Sequence, residues 1–297
     1  MNELESHGDI AVRAERLLRS AGALGRLPTP VDDIVAAAKL VEPEESLLSE
    51  GMIKQAPAHI AQKILGFANR IRGLVDRRAL EVHLAPDVTH EGRRRFIRLH
   101  EVMHHVLPWQ EELGYVDDDR SLSAATDEMF ELEASDGAAE LLFQGQGFAR
   151  DAAELEIGLP AVIAGHERYG SSVRAALWRF PQAHRAAVMS VVLDRSPLTI
   201  NPLRYKRHEL NMSPSFARRF GASRWAGSLW VERYPFLAAA AATVSASTVV
   251  SDECTFVDDA GEVATLRVDA LDTGYNILVL VWVPIHELTR KRVRLVA

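Results

Sequence analysis

Residues Arg94 to Trp109 read RRFIRLHEVMHHVLPW, and this stretch decides how the first half of the chain is interpreted. Its apolar residues recur at helical spacing, which predicts an amphipathic helix. Pro108 should end that helix because proline has no backbone N–H to donate. Three histidines and a glutamate lie within six positions, although a buried polar group without a partner costs about 1–3 kcal/mol. The stretch therefore predicts either a solvated helix face or a site that satisfies these side chains.

The segment His100 to His104 matches the pattern H-E-x-x-H. Residues i and i+4 share one face of a helix, so two imidazoles can converge on one metal ion at about 2.0–2.1 Å. Glu101 is rotated by about 100° from the first histidine and can reach a metal-bound water as a general base. The pattern predicts a zinc site with His100 and His104 as ligands and Glu101 as the catalytic residue. A solvated histidine patch is the alternative.

A catalytic zinc needs a third protein ligand and an open position. The longer motif H-E-x-x-H-x-x-G-x-x-H would supply a third histidine at position 110, but that residue is Gln110. We therefore expect a carboxylate from the next predicted helix, residues 127–143. The acidic residues there are Asp127, Glu128, Glu131, Glu133, Asp136 and Glu140.

Helical spacing separates these acidic candidates. Glu131 lies on one stripe with small or apolar residues that would allow close approach to the motif helix, namely Ala134, Ala138 and Leu141. Glu128 lies on the same stripe one turn earlier and is the main competitor. Glu133 and Asp136 lie off the stripe and are interpreted as solvated charges.

Composition limits the classes of function. The chain has 297 residues, 47% hydrophobic residues, 25% charged residues and a formal net charge of −7, which is typical of a soluble globular protein. That charge argues against direct nucleic-acid binding as the main role, because phosphate neutralisation needs concentrated Lys and Arg. The single cysteine, Cys254, excludes an intrachain disulfide. The N-terminus has no secretory pattern and no apolar run reaches about 18 residues, so we expect a cytoplasmic protein without a membrane span.

Periodicity divides the chain into segments. The N-terminal half is predicted to contain helices at 10–21 and 31–40, a small antiparallel sheet at 66–84 and a loop at 110–126. Thr29 is the predicted N-cap of the second helix, with Pro30 as its first residue. The prolines at 197 and 202 suggest a linker. Strands are predicted beyond it at 228–234, 243–250, 253–257, 263–269 and 275–284, with a hairpin turn at Asp258–Gly261.

The predicted organisation is α+β. Residues 1–150 form a helical domain with a small antiparallel sheet and the metal site. Residues 151–195 have helix-turn-helix character, which we interpret as packing helices rather than a DNA-binding unit. Residues 196–297 form an α+β C-terminal domain.

Two motifs together resemble the ImmA/IrrE family of zinc metallopeptidases. That family couples H-E-x-x-H to a later segment of the form E-x-x-A-x-x-F-A-x-x-L-L-M-P, and here residues 131–144 read ELEASDGAAELLFQ. The glutamate, both alanines and the double leucine match. Gly137 replaces the family's phenylalanine, and Phe143-Gln144 replaces Met-Pro. The resemblance covers residues 10–180.

The resemblance implies a zincin-like peptidase domain in which His100, His104 and Glu131 bind Zn²⁺ and Glu101 is the catalytic acid/base. It also implies a C-terminal domain of the sensor kind found in radiation-response members. The implied activity is intracellular endopeptidase cleavage, with narrow specificity, of a helix-turn-helix repressor, which switches on stress or mobile-element genes. The alternative is a non-proteolytic regulatory protein that uses the same fold to bind a transcription factor or a small ligand. The sequence leaves the oligomeric state open.

Overall fold

The computed structural model describes residues 6–55, 72–110, 124–200, 203–221, 227–242 and 248–284. The chain divides into two compact units, one of residues Met1–Gly147 with Glu167–Ser172 and one of residues Phe148–His166 with Val173–Ala297. Helices and antiparallel strands occur in both, so the predicted α+β class is confirmed. Most of the predicted loop at 110–126 lies outside the described residues.

The first unit is built on two long helices and a hairpin. Its elements are α1 (His7–Ser20), α2 (Val31–Ala37), α3 (Glu50–Gln55), β1 (Gly73–Asp76), β2 (Glu81–Leu84), α4 (Glu91–Val106), a 3₁₀ turn (Pro108–Gln110) and α5 (Ala124–Leu142). Strands β1 and β2 pair antiparallel, as predicted for the small sheet. Helix α4 packs against α5 and β1, and α1 also packs against α5.

The interface between α4 and α5 forms the core of this unit. Leu99, Val102 and Met103 of α4 are fully buried, as are the three stripe residues predicted on α5, namely Ala134, Ala138 and Leu141. At position 137, an added Cβ would lie 2.4 Å from Met103 Cε. Met103 therefore fills the space beside Gly137, where the resembled family has a phenylalanine.

The predicted N-cap at Thr29 is wrong. Helix α2 begins at Val31, Pro30 occupies the cap position, and no side chain caps the helix there. Thr29 is buried, and its hydroxyl donates to the backbone oxygen of Leu142 at 2.7 Å. The Thr29 hydroxyl therefore bonds to a backbone oxygen far away in the sequence instead of capping α2.

The second unit is built on a six-stranded antiparallel sheet with strand order β5-β4-β3-β8-β7-β6. The strands are β3 (Val188–Ile200), β4 (Leu203–Met212), β5 (Ser228–Trp230), β6 (Val250–Val257), β7 (Val263–Asp272) and β8 (Asn276–Trp282). The helices are most of α6 (Gln146–Glu154) and of α7 (Leu159–Tyr169), together with α8 (Val173–Ala183), α9 (Pro214–Phe220) and α10 (Phe236–Ala242). Of the predicted strands, the one at 243–250 falls mostly outside the described residues.

Two local features of this sheet test the sequence interpretation. The turn at Asp258–Gly261 joins β6 to β7 as predicted, and Asp258 Oδ1 accepts from the backbone N–H groups of Ala260 and Glu262. The predicted linker is wrong, because Pro197 lies inside β3 and pairs with Tyr205 at an irregularity in the register. Proline is tolerated in a strand at such a position, where its missing N–H interrupts no regular ladder.

Helices cover both faces of the sheet. Helices α9 and α10 bury their apolar residues in one core cluster with alternate residues of β3, β7 and β8. Helix α8 packs against β3, β4 and β8. Asp269 of β7 accepts from the backbone N–H of Leu159 at 2.9 Å, which ties the start of α7 to the sheet. No helix within the described ranges is both long enough and apolar enough to cross a bilayer.

Candidate metal centre

Helices α4 and α5 bring three predicted ligands to one point. His100 Nε2 lies 3.0 Å from His104 Nε2 and 3.2 Å from Glu131 Oε2. His104 Nε2 lies 3.4 Å from Glu131 Oε1. The two histidines converge because they are four residues apart on α4, and Glu131 reaches them from the facing helix. These residues form the only group of at least three His, Cys, Asp or Glu side chains in the described part of the chain that could hold a metal ion.

The separations of these atoms fit one small ion. Ligand atoms about 2.0–2.1 Å from a tetrahedral zinc are about 3.3 Å apart. The two histidine Nε2 atoms lie 3.0 Å apart here, and they lie 3.2 and 3.4 Å from the two different carboxylate oxygens of Glu131. Two imidazole nitrogens and a carboxylate oxygen are also a donor set suited to zinc. Residues 111–123, which include further acidic side chains, lie outside the described residues. Within the described ranges, no fourth ligand joins the group.

Hydrogen bonds and opposite charges shift the pKa values of Glu131 and His104. Hydrogen bonds to His100 and then to His104 hold the pKa of the Glu131 carboxyl well below its usual range, although its side chain is 66% exposed. Burial alone would lower the pKa of His104. The hydrogen bond to Glu131 and the charges of Glu101 and Glu131 outweigh burial and raise that pKa. The cluster therefore favours an ionised Glu131 carboxylate beside a protonated histidine. A bound metal cation would take the place of that proton's positive charge.

Glu101 lies beside this cluster but outside the ligand group. It is buried, with 7% exposure, and accepts a hydrogen bond from the backbone N–H of Val75 on β1. Burial is the main cause of its raised pKa. A Cβ at Gly73 would lie 2.6 Å from Glu101 Oε1, so the absence of a side chain on β1 makes room for the carboxyl group. The sequence predicted Glu101 but gave no reason to single out Gly73.

Sequence reasoning missed the residues that support His104. Gln110 is buried, and its Oε1 lies 2.7 Å from His104 Nδ1. Its Nε2 donates to Glu133 Oε2 at 2.9 Å, and Trp109 Nε1 donates to the same oxygen at 2.7 Å. Arg77 donates to the backbone oxygens of Gln110 and His104, which holds this turn against the end of α4. The signal that could have identified these residues was Gln110, a polar residue at the position where the longer zinc motif has its third histidine.

Three other acidic candidates from the same helix lie outside the ligand group. The interpretation of Glu133 as a solvated charge is wrong, because its side chain is buried and accepts three hydrogen bonds from described residues. Asp136 also has a partner, since its Oδ2 lies 2.6 Å from His7 Nδ1. Glu128 is exposed and lies outside the ligand group. The structure thus brings Glu131, rather than its competitor Glu128, to the two histidines.

Comparisons with known proteins show a likeness in fold. No family profile matches the chain, and no curated protein sequence matches it. Among solved structures, a Mycobacterium tuberculosis transcriptional regulator superposes with a TM-score of 0.52 and 13% sequence identity. The match covers 95% of this chain and 78% of that chain. At this identity the likeness concerns the fold alone.

Proposed function

We propose that the protein is a zinc-dependent endopeptidase in which His100, His104 and Glu131 bind the metal and Glu101 is the catalytic acid/base. One observation supports this most strongly. Two imidazole nitrogens and a carboxylate converge, with ligand atoms within 4.8 Å of one another, beside a buried carboxyl group that is not one of the three. A structural zinc site would be closed by a fourth protein ligand, whereas a catalytic site keeps a position open.

The chemistry follows from charge and position. A bound zinc ion acts as a Lewis acid that polarises the scissile carbonyl and makes water a nucleophile near neutral pH. Glu101 takes the proton from the attacking water and gives it to the leaving amine. Its raised pKa makes the carboxylate a stronger base toward the attacking water than an ordinary glutamate would be. The backbone N–H of Val75 keeps the carboxyl group beside the cluster.

The proposed substrate is a helix-turn-helix repressor inside the cell, cleaved with narrow specificity to switch on stress or mobile-element genes. Two features support a regulatory role. The motifs at 100–104 and 131–142 resemble those of ImmA/IrrE peptidases. The solved structure that shares the fold over 95% of this chain is named a transcriptional regulator.

The same likeness in fold favours a second candidate. In it, the chain regulates transcription by binding a transcription factor or a small ligand and cuts nothing. Zinc would then be structural or not bound. The two candidates differ in what the substitution Glu101→Gln would do.

The first test is metal content, followed by cleavage. We expect about one zinc per chain by mass spectrometry in the wild type and in Glu128→Gln, and little in Glu131→Gln, because only Glu131 contacts both histidines. Helix-turn-helix proteins encoded by neighbouring genes, purified singly, serve as substrates. We expect Glu101→Gln to keep its zinc and to lose cleavage by a factor of at least about 10²–10⁴, the usual contribution of general acid–base catalysis.

The opposite results separate the candidates. Retained cleavage by a folded Glu101→Gln protein would exclude the mechanism. Stable binding of one of these regulators without any cleavage by the wild type would support the second candidate. Equal zinc in Glu131→Gln and Glu128→Gln would remove Glu131 from the site.

A further inference from the structure

The carboxylate of Glu133 accepts hydrogen bonds at one end of a buried chain of hydrogen-bonded side chains. Its side chain is only 3% exposed, and it accepts from Ser6 Oγ at 2.6 Å, from Trp109 Nε1 at 2.7 Å and from Gln110 Nε2 at 2.9 Å. A carboxylate can only accept hydrogen bonds. Its neighbours must therefore present donors, and Trp109 has no other choice because the indole N–H cannot accept.

This carboxylate decides which way the Gln110 amide points. The NH₂ group of Gln110 lies 2.9 Å from Glu133 Oε2 and 3.3 Å from the backbone oxygen of Phe130. Both neighbours are acceptors, so the two N–H bonds of the amide have one partner each. A flipped amide would place its oxygen against two other oxygens in a buried position. The amide oxygen of Gln110 must therefore face His104.

The amide orientation in turn decides the tautomer of His104. Gln110 Oε1 lies 2.7 Å from His104 Nδ1 and can only accept, so Nδ1 carries the hydrogen. In the neutral imidazole the other nitrogen is then unprotonated. That nitrogen, Nε2, is the atom that faces His100 and Glu131.

His100 differs in this respect. Its Nδ1 lies 3.3 Å from Ser135 Oγ, and a hydroxyl can donate or accept. Ser135 therefore does not select a tautomer of His100. Only the histidine at the end of the buried chain is restricted to one form.

We infer that Gln110 and Glu133 are positioning residues that hold His104 as the Nδ1–H tautomer, with the lone pair of Nε2 directed at the metal position. This inference depends on the proposed function for the identity of the ligand, zinc, but the tautomer itself does not. Gln110 occupies the position of the third histidine in the longer zinc motif. Here it supports a ligand instead of being one.

The first test reads the tautomer directly in the metal-free full-length chain. Long-range ¹H–¹⁵N correlation spectra at a pH where the histidines are neutral distinguish a protonated from an unprotonated ring nitrogen. We expect His104 to show a single Nδ1–H form. In Glu133→Gln, the new amide can donate as well as accept, so Gln110 can flip and a mixture of tautomers is expected. A single Nε2–H form of His104 in the wild type would overturn the inference.

The second test measures zinc affinity by competition with a chelator. Loss of a residue that orients a metal ligand typically lowers metal affinity about 10–100-fold, and we expect this for Glu133→Gln and for Gln110→Leu. Asp136→Asn is the matched control, because that carboxyl lies on the same helix and contacts His7 rather than a ligand. Ser135→Ala should leave the His104 spectrum unchanged.

The results distinguish the two proposals. Wild-type zinc affinity in both variants, with each protein folded, would show that the chain does not support the site. A wild-type protein that has the Nδ1–H tautomer but binds no zinc would overturn the proposed function and leave the tautomer assignment confirmed.

Discussion

At the scale of single residues, the burial of Glu101 opposes the ionised form of its side chain, which the proposed activity needs, and so lowers the stability of the fold when that form is present. A carboxyl group taken out of water resists ionisation, which is the main reason that the pKa of Glu101 is raised above its ordinary value of 4.5. A group with a raised folded-state pKa stabilises the fold below its unfolded pKa and loses that contribution as the pH rises through the folded value. Ionising Glu101, as the proposed chemistry requires, therefore costs the metal-free protein stability.

This cost predicts that Glu101→Gln stabilises the metal-free protein. The amide has the same shape, carries no charge and can still accept from the Val75 N–H. We expect a higher free energy of unfolding at pH 8, because the substitution removes the cost of ionising a buried carboxyl group. The gain should shrink as the pH falls toward 4.5. Urea unfolding with a chelator present, from pH 4 to 8, measures it, and a gain independent of pH would contradict the electrostatic cause.

At the scale of elements, the contact between α4 and α5 depends on a glycine. A Cβ at Gly137 would lie 2.4 Å from Cε and 2.8 Å from Cγ of Met103, which is fully buried. We expect Gly137→Ala to destabilise the wild type by about 1–2 kcal/mol through overpacking, despite the better helix propensity of alanine. A Met103→Ala background removes the three nearest atoms, and there the same substitution should stabilise by up to about 1 kcal/mol.

A double-mutant cycle with urea unfolding checks this change of sign. Gly8→Ala in α1 is the control, because a Cβ there meets nothing within 4 Å and should have the same effect in both backgrounds. An equal effect of Gly137→Ala in the two backgrounds would show that Met103 does not set the spacing of the helices.

The same two helices show what the sequence could and could not predict. Periodicity and the H-E-x-x-H spacing were enough to predict α4, α5 and the pair His100 and His104, because those signals are local to each helix. Spacing alone left Glu131 and Glu128 as alternatives for the third ligand, and the resemblance favoured Glu131. The role of Glu133 depended on Ser6 and Gln110, which lie 127 and 23 residues away. The spacing of residues along one helix cannot show that an acidic side chain outside the apolar stripe accepts hydrogen bonds from buried residues of other elements. For the same reason the proline-containing hairpin of β3 and β4 looked like a linker.

At the scale of the whole molecule, each of the two units contains buried apolar residues of its own. Those of the first unit are centred on the α4–α5 contact, and those of the second form the cluster of the large sheet with α9 and α10. The ligands of the proposed zinc site all come from the first unit. A ligand that binds only the folded state stabilises it by RT ln(1 + [L]/Kd), about 2.7 kcal/mol at a concentration of 100 Kd.

Zinc should therefore protect one unit more than the other. We expect hydrogen exchange, read by mass spectrometry on the full chain, to slow in peptides from α4 and α5 when zinc is added, and to change little in peptides from β3, β7 and β8. The reason is that opening of α4 or α5 must release the metal, whereas opening of the large sheet need not. Glu131→Gln, treated identically, should show no zinc-dependent slowing. Equal slowing in both units would mean that they open together, and zinc would then stabilise the molecule as a single cooperative structure.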